Sequence, residues 1–167
     1  ENDKFLNIPA KKRGSINKDN FYKKSRKVFL KARKVANFGL KKFQYFRDKG
    51  SFYHGISEVY LELGDSKKFY SNITKVFKLS RKGSKIYKKS SITLGEYYYN
   101  KQMYSKALKY YRLGLRGKKD KWWTKDAYHM AWCYLMTNRS EKGLEVIKEV
   151  YKLSKNPNYI DNSFRAE

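Results

Sequence analysis

The residue types through which proteins most often do chemistry are sparse and scattered in this sequence. His54 and His129 lie far apart and lack the spacing of metal ligands. Cys133 is the only cysteine, so an intrachain disulfide is excluded, and we expect its thiol to be a small core group. No phosphate-binding glycine loop, Ser-His-Asp arrangement or pair of acids suited to general acid catalysis is recognised. We therefore expect no enzyme, no cofactor and no small-molecule substrate.

Lysine and arginine are the abundant chemical groups. The 167 residues include 40 Lys and Arg against 15 Asp and Glu, a net charge of +25. Residues 1–50 carry 16 basic and 4 acidic side chains, residues 51–120 carry 16 and 5, and residues 121–167 carry 8 and 6. Such an excess indicates contact with nucleic acid, an anionic membrane or an acidic protein. A genome-wide bias towards Lys, Asn and Tyr would also produce it.

Basic residues that fall in runs or stripes are the candidates for phosphate contacts. Tyr and Phe side chains interleave with them, and these rings either stack on bases or belong to the core beneath a solvated face. The candidate anion-binding residues are Lys11, Lys12, Arg13, Lys23, Lys27, Lys34, Lys41, Lys42, Lys78, Arg81, Lys82, Lys85, Arg112 and Arg116.

The elements that carry these side chains are predicted to be helices. The chain is 17% aromatic and 40% hydrophobic, which favours folding, and it contains only two prolines. Residues 1–19 are predicted to form a basic arm. Residues 20–48 are predicted to form a basic helix, or a helix pair divided at Gly39, that ends at Gly50. Its apolar face would comprise Phe21, Val28, Ala32, Val35, Ala36, Gly39, Phe43 and Phe46.

From residue 51 onward a two-part pattern occurs three times. In each copy a large residue, a small residue and a tyrosine precede a second segment with residues four apart. The clearest copy is Leu94-Gly95-x-x-Tyr98 with Ala107-x-x-x-Tyr111. The flanking copies are Ile56-Ser57-x-x-Tyr60 with Phe69-x-x-x-Ile73, and Met130-Ala131-x-x-Tyr134 with Gly143-x-x-x-Ile147.

This pattern resembles the tetratricopeptide repeat, whose signature runs Leu-Gly-x-x-Tyr and then Ala-x-x-x-Phe. The resemblance covers residues 51–157 and implies an all-α fold of three helical hairpins stacked as a short α-solenoid. Residues 158–167 would be a tail or the start of a further helix. Departures from the family are Phe69 in place of a small residue and copies slightly longer than the norm.

Small residues and turn signals agree with this interpretation. Gly95, Ala107, Ala131 and Gly143 would let paired helices approach closely. Turns are predicted within residues 64–66, 100–102 and 137–140, and loops at residues 81–85 and 117–121. The candidate N-caps of the second helices are Ser66, Ser105 and Ser140.

The resemblance also implies a binding surface, because the first helices of successive repeats line a concave groove in that family. The surface would combine acids with aromatic rings and would suit a peptide or helix with apolar and basic side chains. Alternatively, the rings pack against a capping helix. The groove residues implied by register are His54, Glu58, Glu62, Lys89, Glu96, Tyr99, Asn100, Lys125, Tyr128 and Trp132.

Three functions are compatible with these features. The first is a non-catalytic scaffold for protein–protein interaction within a larger assembly, for example in a bacterial envelope or periplasm. The alternative is an RNA-binding structural component of a ribonucleoprotein, as in an organellar or ribosomal assembly. A membrane surface as the sole partner is disfavoured, since no apolar stripe accompanies the basic ones. Because the sequence starts at Glu1 rather than Met, we expect a processed form or a fragment.

Overall fold

The computed structural model describes residues 23–42, 49–117, 119–120 and 122–159. Within this part every regular element is a helix, and neighbouring helices pack in pairs, which confirms the predicted all-α helical-hairpin arrangement. The helices are α1 (Lys23–Lys42), α2 (Lys49–Glu62), α3 (Ser66–Leu79), α4 (Lys85–Asn100), α5 (Tyr104–Gly114), α6 (Trp123–Leu135) and α7 (Ser140–Ser154), followed by a 3-10 turn at Pro157–Tyr159.

The chain divides into two compact units, Glu1–Asn72 and Ile73–Glu167. In unit one, α1 packs against α2. The contact is close at Gly39, where a Cβ atom would lie 2.8 Å from Cε1 of Phe52. Further along α2 the buried side chains are His54, Ile56, Ser57 and Val59.

Of the two alternatives for the first segment, the structure has a single helix rather than a pair divided at Gly39, and the expected helix end at Gly50 is wrong. Helix α1 continues through Gly39 without a break, because that glycine makes room for a ring of α2 rather than ending a helix. Gly50, the expected helix end, lies in the first turn of α2.

The apolar face expected for α1 is wrong at Val28, Ala32 and Val35, which are exposed, whereas Gly39 of that face is buried against α2. Val28 and Val35 are 62% and 70% exposed, whereas Phe29 and Leu30 are half-buried. A helix buries the side that its neighbour contacts, and a spacing of seven residues does not by itself identify that side. Phe21, Phe43 and Phe46 of the expected face lie outside the described residues.

Unit two contains two complete hairpins, α4 with α5 and α6 with α7, and α6 also contacts α4 and α5. The predicted close approaches are present. A Cβ atom at Gly95 would lie 2.9 Å from Cδ1 of Tyr111, and one at Gly143 would lie 2.9 Å from Cδ2 of Leu135. Ala107 and Ala131 have no exposed surface.

The predicted turns separate the helices as expected. Gly64, Gln102 and Asn138 adopt positive φ angles of 72°, 57° and 57°; Gly64 lies between α2 and α3, and the other two lie between the paired helices of unit two. Left-handed backbone of this kind reverses the chain within a few residues. None of the described helices is both long and apolar enough to cross a membrane.

The predicted N-caps are wrong, by one position at α3 and entirely at α5 and α7. At α3 the backbone N–H of Lys68 donates to Oδ1 of Asp65 at 3.1 Å, so the aspartate rather than Ser66 caps the helix. Helices α5 and α7 have Met103 and Arg139 at the cap position, and neither side chain accepts a capping hydrogen bond. Ser105 and Ser140 lie inside the helices.

Candidate functional site

The implied groove residues fall in both units. His54, Glu58 and Glu62 lie on α2 in unit one, where Nδ1 of His54 is 3.4 Å from Oε1 of Glu58. The other seven lie in unit two, where α4 contacts α6. They are Lys89, Glu96, Tyr99 and Asn100 on α4, and Lys125, Tyr128 and Trp132 on α6.

Aromatic rings form a connected row on α4 and α6. Tyr99 stacks on His129 with ring centroids 4.7 Å apart and an interplanar angle of 23°. The ring centroid of Tyr128 lies 6.3 Å from those of His129 and Trp132, and the rings of Tyr128 and Trp132 meet edge to face. All four side chains are partly exposed. We call these four residues the aromatic row; sequence reasoning had placed three of them in the groove and missed His129.

The stacked pair also reveals how the two helices are aligned. Tyr99 of α4 lies opposite His129 of α6, so Glu96 and Asp126, each three residues earlier, belong to the preceding turns of the same two helices. The electrostatic influence of Glu96 on Asp126 agrees with this placement.

A pocket of about 600 Å³ is lined by residues of α4 and α6 that lie one turn before the aromatic row. Its walls are α4, the end of α5, the segment before α6 and the first turn of α6. Lysines of the first turn of α4 line one part, and carboxylates line another. We call this cavity the charged pocket, and its lining includes Lys85, Lys88, Lys89, Ile92, Thr93, Glu96, Asp120, Trp122, Trp123, Lys125 and Asp126.

The carboxyl groups of Glu96 on α4 and Asp126 on α6 have raised pKa values, which is unusual for groups that line a surface cavity. Burial raises the pKa of Asp126 to about 7, and the charge of Glu96 contributes in the same direction while Lys125 opposes it. Burial likewise raises the pKa of Glu96, again against the influence of Lys125. Within the described part of the chain, neither carboxylate forms a hydrogen bond or a salt bridge. Two weakly solvated acids therefore face a cavity without a partner for their charge.

The tryptophan pair before and at the start of α6 forms the wall between the pocket and the core. Trp122 is about half exposed, and its backbone N–H donates to Oδ1 of Asp120 at 3.0 Å. Trp123 is buried and packs with Ala127 and Val150, and the ammonium of Lys119 lies 4.6 Å from the centre of its ring. This packing fixes the first turn of α6, on which Asp126 stands.

Sequence reasoning singled out four of the charged residues in the pocket lining, three as groove residues and Lys85 as an anion-binding candidate, and missed Asp120 and Asp126. Lys89, Glu96 and Lys125 were placed in the groove by family register. Asp126 follows directly after one of them, and only the structure shows that its side chain is also turned towards the cavity. The acid in the first turn of α6 was the available signal, but helix N-termini favour acids for reasons unrelated to binding.

The predicted anion-binding residues are exposed wherever the structure describes them. Lys11, Lys12 and Arg13 lie outside the described residues. The exposed members in unit one are Lys23, Lys27, Lys34, Lys41 and Lys42, and those in unit two are Lys78, Arg81, Lys82, Lys85, Arg112 and Arg116. Lys85 is the only one of them that lines the charged pocket.

The remaining chemical groups are unreactive or dispersed. Cys133 is fully buried, as expected, and burial raises the pKa of its thiol to about 12, which leaves the thiolate negligible at neutral pH. Among the residues that the structure describes, no group of three or more His, Cys, Asp or Glu side chains is arranged to hold a metal ion.

Comparison with known proteins adds no family to these observations. The sequence matches no protein-family model, and no curated protein is significantly similar to it.

Proposed function

We propose that this chain is a non-catalytic scaffold of the tetratricopeptide type that binds a segment of another protein on α4 and α6 of unit two. The aromatic row carries this proposal. Tyr99, Tyr128, His129 and Trp132 form a partly exposed, mutually supported surface. Rigid aromatic rings are the side chains most often responsible for affinity at protein interfaces, because they bury a large area at a small entropic cost.

The neighbouring charges support a peptide as the partner. The charged pocket adjoins the aromatic row along α4, so one ligand can contact rings and charges together. A pocket that presents both signs of charge matches the side chains of a polypeptide better than it matches a uniformly charged polymer.

Selection from a displayed library of random peptides tests this function. We expect the protein to enrich a family of peptides, and we expect Trp132→Ala to bind them at least tenfold more weakly, since the variant removes one end of the aromatic row. Tyr151→Ala is the matched control, because this ring is 65% exposed on α7 and lies outside the row. Failure to enrich any peptide, or equal loss in both variants, would contradict the proposal.

The alternative function is that of an RNA-binding structural component of a ribonucleoprotein. The exposure of every described member of the predicted anion-binding set supports it, since phosphate contacts need accessible cations. The mixed charge of the pocket and the opposed acids Glu96 and Asp126 favour the peptide instead.

A salt titration with a labelled generic RNA separates the two functions. For a scaffold we expect binding at low salt that vanishes near physiological salt. An RNA-binding component would bind tightly there, with log affinity falling by roughly 0.7 per phosphate contact for each unit of log salt. If the protein is such an RNA-binding component, the triple variant Arg81→Gln, Lys82→Gln and Lys85→Gln should show a smaller fall of log affinity with log salt. A triple Gln variant at Lys142, Lys148 and Lys152, exposed lysines of α7, is the control for total charge.

A further inference from the structure

We propose that the charged pocket binds an extended peptide whose lysine or arginine side chain lies against Glu96 and Asp126, with an acidic side chain four residues away against the lysines of α4. This inference rests on the proposed function and specifies the partner. Four steps lead to it: the unpaired acids, the lysines, the distance between them, and the coupling of binding to protons.

The unpaired acids call for a cation. Glu96 and Asp126 are mostly buried, line the cavity, and form no hydrogen bond or salt bridge with any described residue. Buried carboxylates without partners are costly, and a guanidinium or ammonium group would supply both charge and donors. Lys125 lowers the pKa of both acids but forms no salt bridge with either, and both acids line a cavity that a ligand can enter.

The lysines at the other part of the pocket call for an anion. Lys85 and Lys88 are three residues apart, which places them on one side of α4. Like charges at this spacing repel one another, and a carboxylate between them relieves the repulsion. Ser84 caps the helix, since its Oγ accepts the backbone N–H of Tyr87. The lysine side chains rather than the helix end therefore provide the anion contacts.

The distance along α4 determines the spacing of charges in the ligand. Lys88 and Glu96 are eight residues apart, which corresponds to a rise of about 12 Å along a helix. An extended peptide covers about 3.3 Å per residue, so about four residues span that distance. Side chains four residues apart also point to the same side of an extended chain, so both can face α4 at once.

Cation binding is expected to release protons near neutral pH. Asp126 is influenced by Glu96 from α4, Lys125 on its own helix and Asp120 from the preceding segment, and its pKa is about 7. A cation favours the ionised carboxylate, so the acid must lose its proton when the peptide binds. If only the ionised form is competent, affinity should be about tenfold weaker at pH 6 than at pH 8.

The test is a selection from a random-peptide library on three proteins, followed by titrations of a synthetic consensus peptide. Wild-type protein and the control Glu145→Gln, an exposed acid of α7, should enrich a basic residue with an acidic residue four positions away. The double variant Glu96→Gln/Asp126→Asn should lose the preference for the basic residue. Tryptophan fluorescence provides the titration signal, because Trp122 and Trp123 line the pocket. The consensus peptide should bind wild-type protein about tenfold more weakly at pH 6 than at pH 8.

The outcomes separate this inference from the function on which it rests. Enriched peptides that lack a basic residue, or that bind the double variant unchanged, overturn the inference and leave the scaffold function intact. No enrichment on the wild-type protein overturns both. If circular dichroism shows that the double variant does not fold, Asp126→Asn alone and the pH dependence of wild-type affinity decide the matter, and a flat pH profile refutes the inference.

Discussion

At the scale of single residues, the contact between Gly95 and Tyr111 shows why the repeat signature has a small residue at this position. Tyr111 is fully buried, so its ring cannot move aside for an added atom. A Cβ atom on the glycine would lie 2.9 Å from Cδ1, 3.0 Å from Cε1 and 3.1 Å from Cγ of that ring. The hairpin of α4 and α5 therefore requires glycine here.

Replacement of this glycine should be destabilising. We expect Gly95→Ala to lower the free energy of unfolding by about 1 to 2 kcal/mol, because overpacking against the ring outweighs the gain in helix propensity. Gly55→Ala is the control, since a Cβ atom there meets nothing within 4 Å inside α2, and it should be neutral or stabilising. Urea denaturation measures both. Equal effects of the two substitutions would show that the close approach is not a constraint.

Asp126 should make stability depend on pH. Its pKa is raised from 3.8 to about 7 by burial and by Glu96, so the unfolded chain ionises first as pH rises. The native state then loses stability between about pH 4 and pH 7, and the full penalty is present above pH 7.

Asp126→Asn removes this penalty. At pH 8 we expect the variant to be more stable than wild type by about 2 kcal/mol, roughly half of what the full pKa shift gives, because the carboxylate retains some contact with water in the pocket. Near pH 4 the two proteins should be equally stable. Urea denaturation at both values measures the difference, with Glu145→Gln as the control. A variant that is less stable than wild type at pH 8 would contradict the account.

At the scale of elements, helix α6 is held at both of its ends. At its start, Oγ1 of Thr124 donates to the carbonyl oxygen of Tyr159 at 2.6 Å, which ties the 3-10 turn after α7 to the first turn of α6. At its end, Leu135 packs close to Gly143 of α7. The first turn of α6 also carries Asp126, so this tie supports the charged pocket.

Loss of the hydrogen bond between Thr124 and Tyr159 should lower the stability of unit two. Thr124→Val keeps the side-chain shape and removes the donor, and we expect a cost of about 1 kcal/mol because a part-buried hydrogen bond is lost. Thr93→Val is the control, since the hydroxyl of Thr93 donates within its own helix to the carbonyl of Lys89. Thermal melts followed by circular dichroism measure both variants. An unchanged melting temperature for Thr124→Val would show that the turn is not held by this bond.

The helical segments and the turns between them could be predicted from the sequence, because the residue types within each segment largely determine them. Residues 64–66, 100–102 and 137–140 contain breaks between consecutive helices, as expected. Partners distant in sequence could not be predicted in the same way. The side of α1 that is buried depends on where α2 contacts it. The cap of α3 is a local contact, but two adjacent residues, Asp65 and Ser66, are both capable of it, and the sequence does not decide between them.

The charged pocket illustrates the same limit. Family register placed Lys89, Glu96 and Lys125 on the groove, and all three line the cavity. His129 and Asp126 were missed, because an adjacent residue on a helix is rotated by about 100° and register alone does not define a face that closely.

At the scale of the whole molecule, the exposed basic residues and the proposed binding face occupy different parts of the surface. The predicted anion-binding residues are spread over the exposed surfaces of both units, whereas the charged pocket and the aromatic row belong to α4, α6 and the segments beside them in unit two. A broad basic surface speeds encounter with acidic partners without defining a site. We therefore propose that specific recognition takes place on the face of α4 and α6 rather than on the basic surface.

Amide hydrogen exchange of the protein with and without a selected peptide tests this assignment most directly. We predict that the peptide slows exchange in α4 and at the start of α6, because binding suppresses the local opening of the helices it contacts. Exchange along α1 should not change. Slowed exchange confined to α1, or to the segments around Arg81 and Arg116, would contradict the account and place recognition on the basic surface instead.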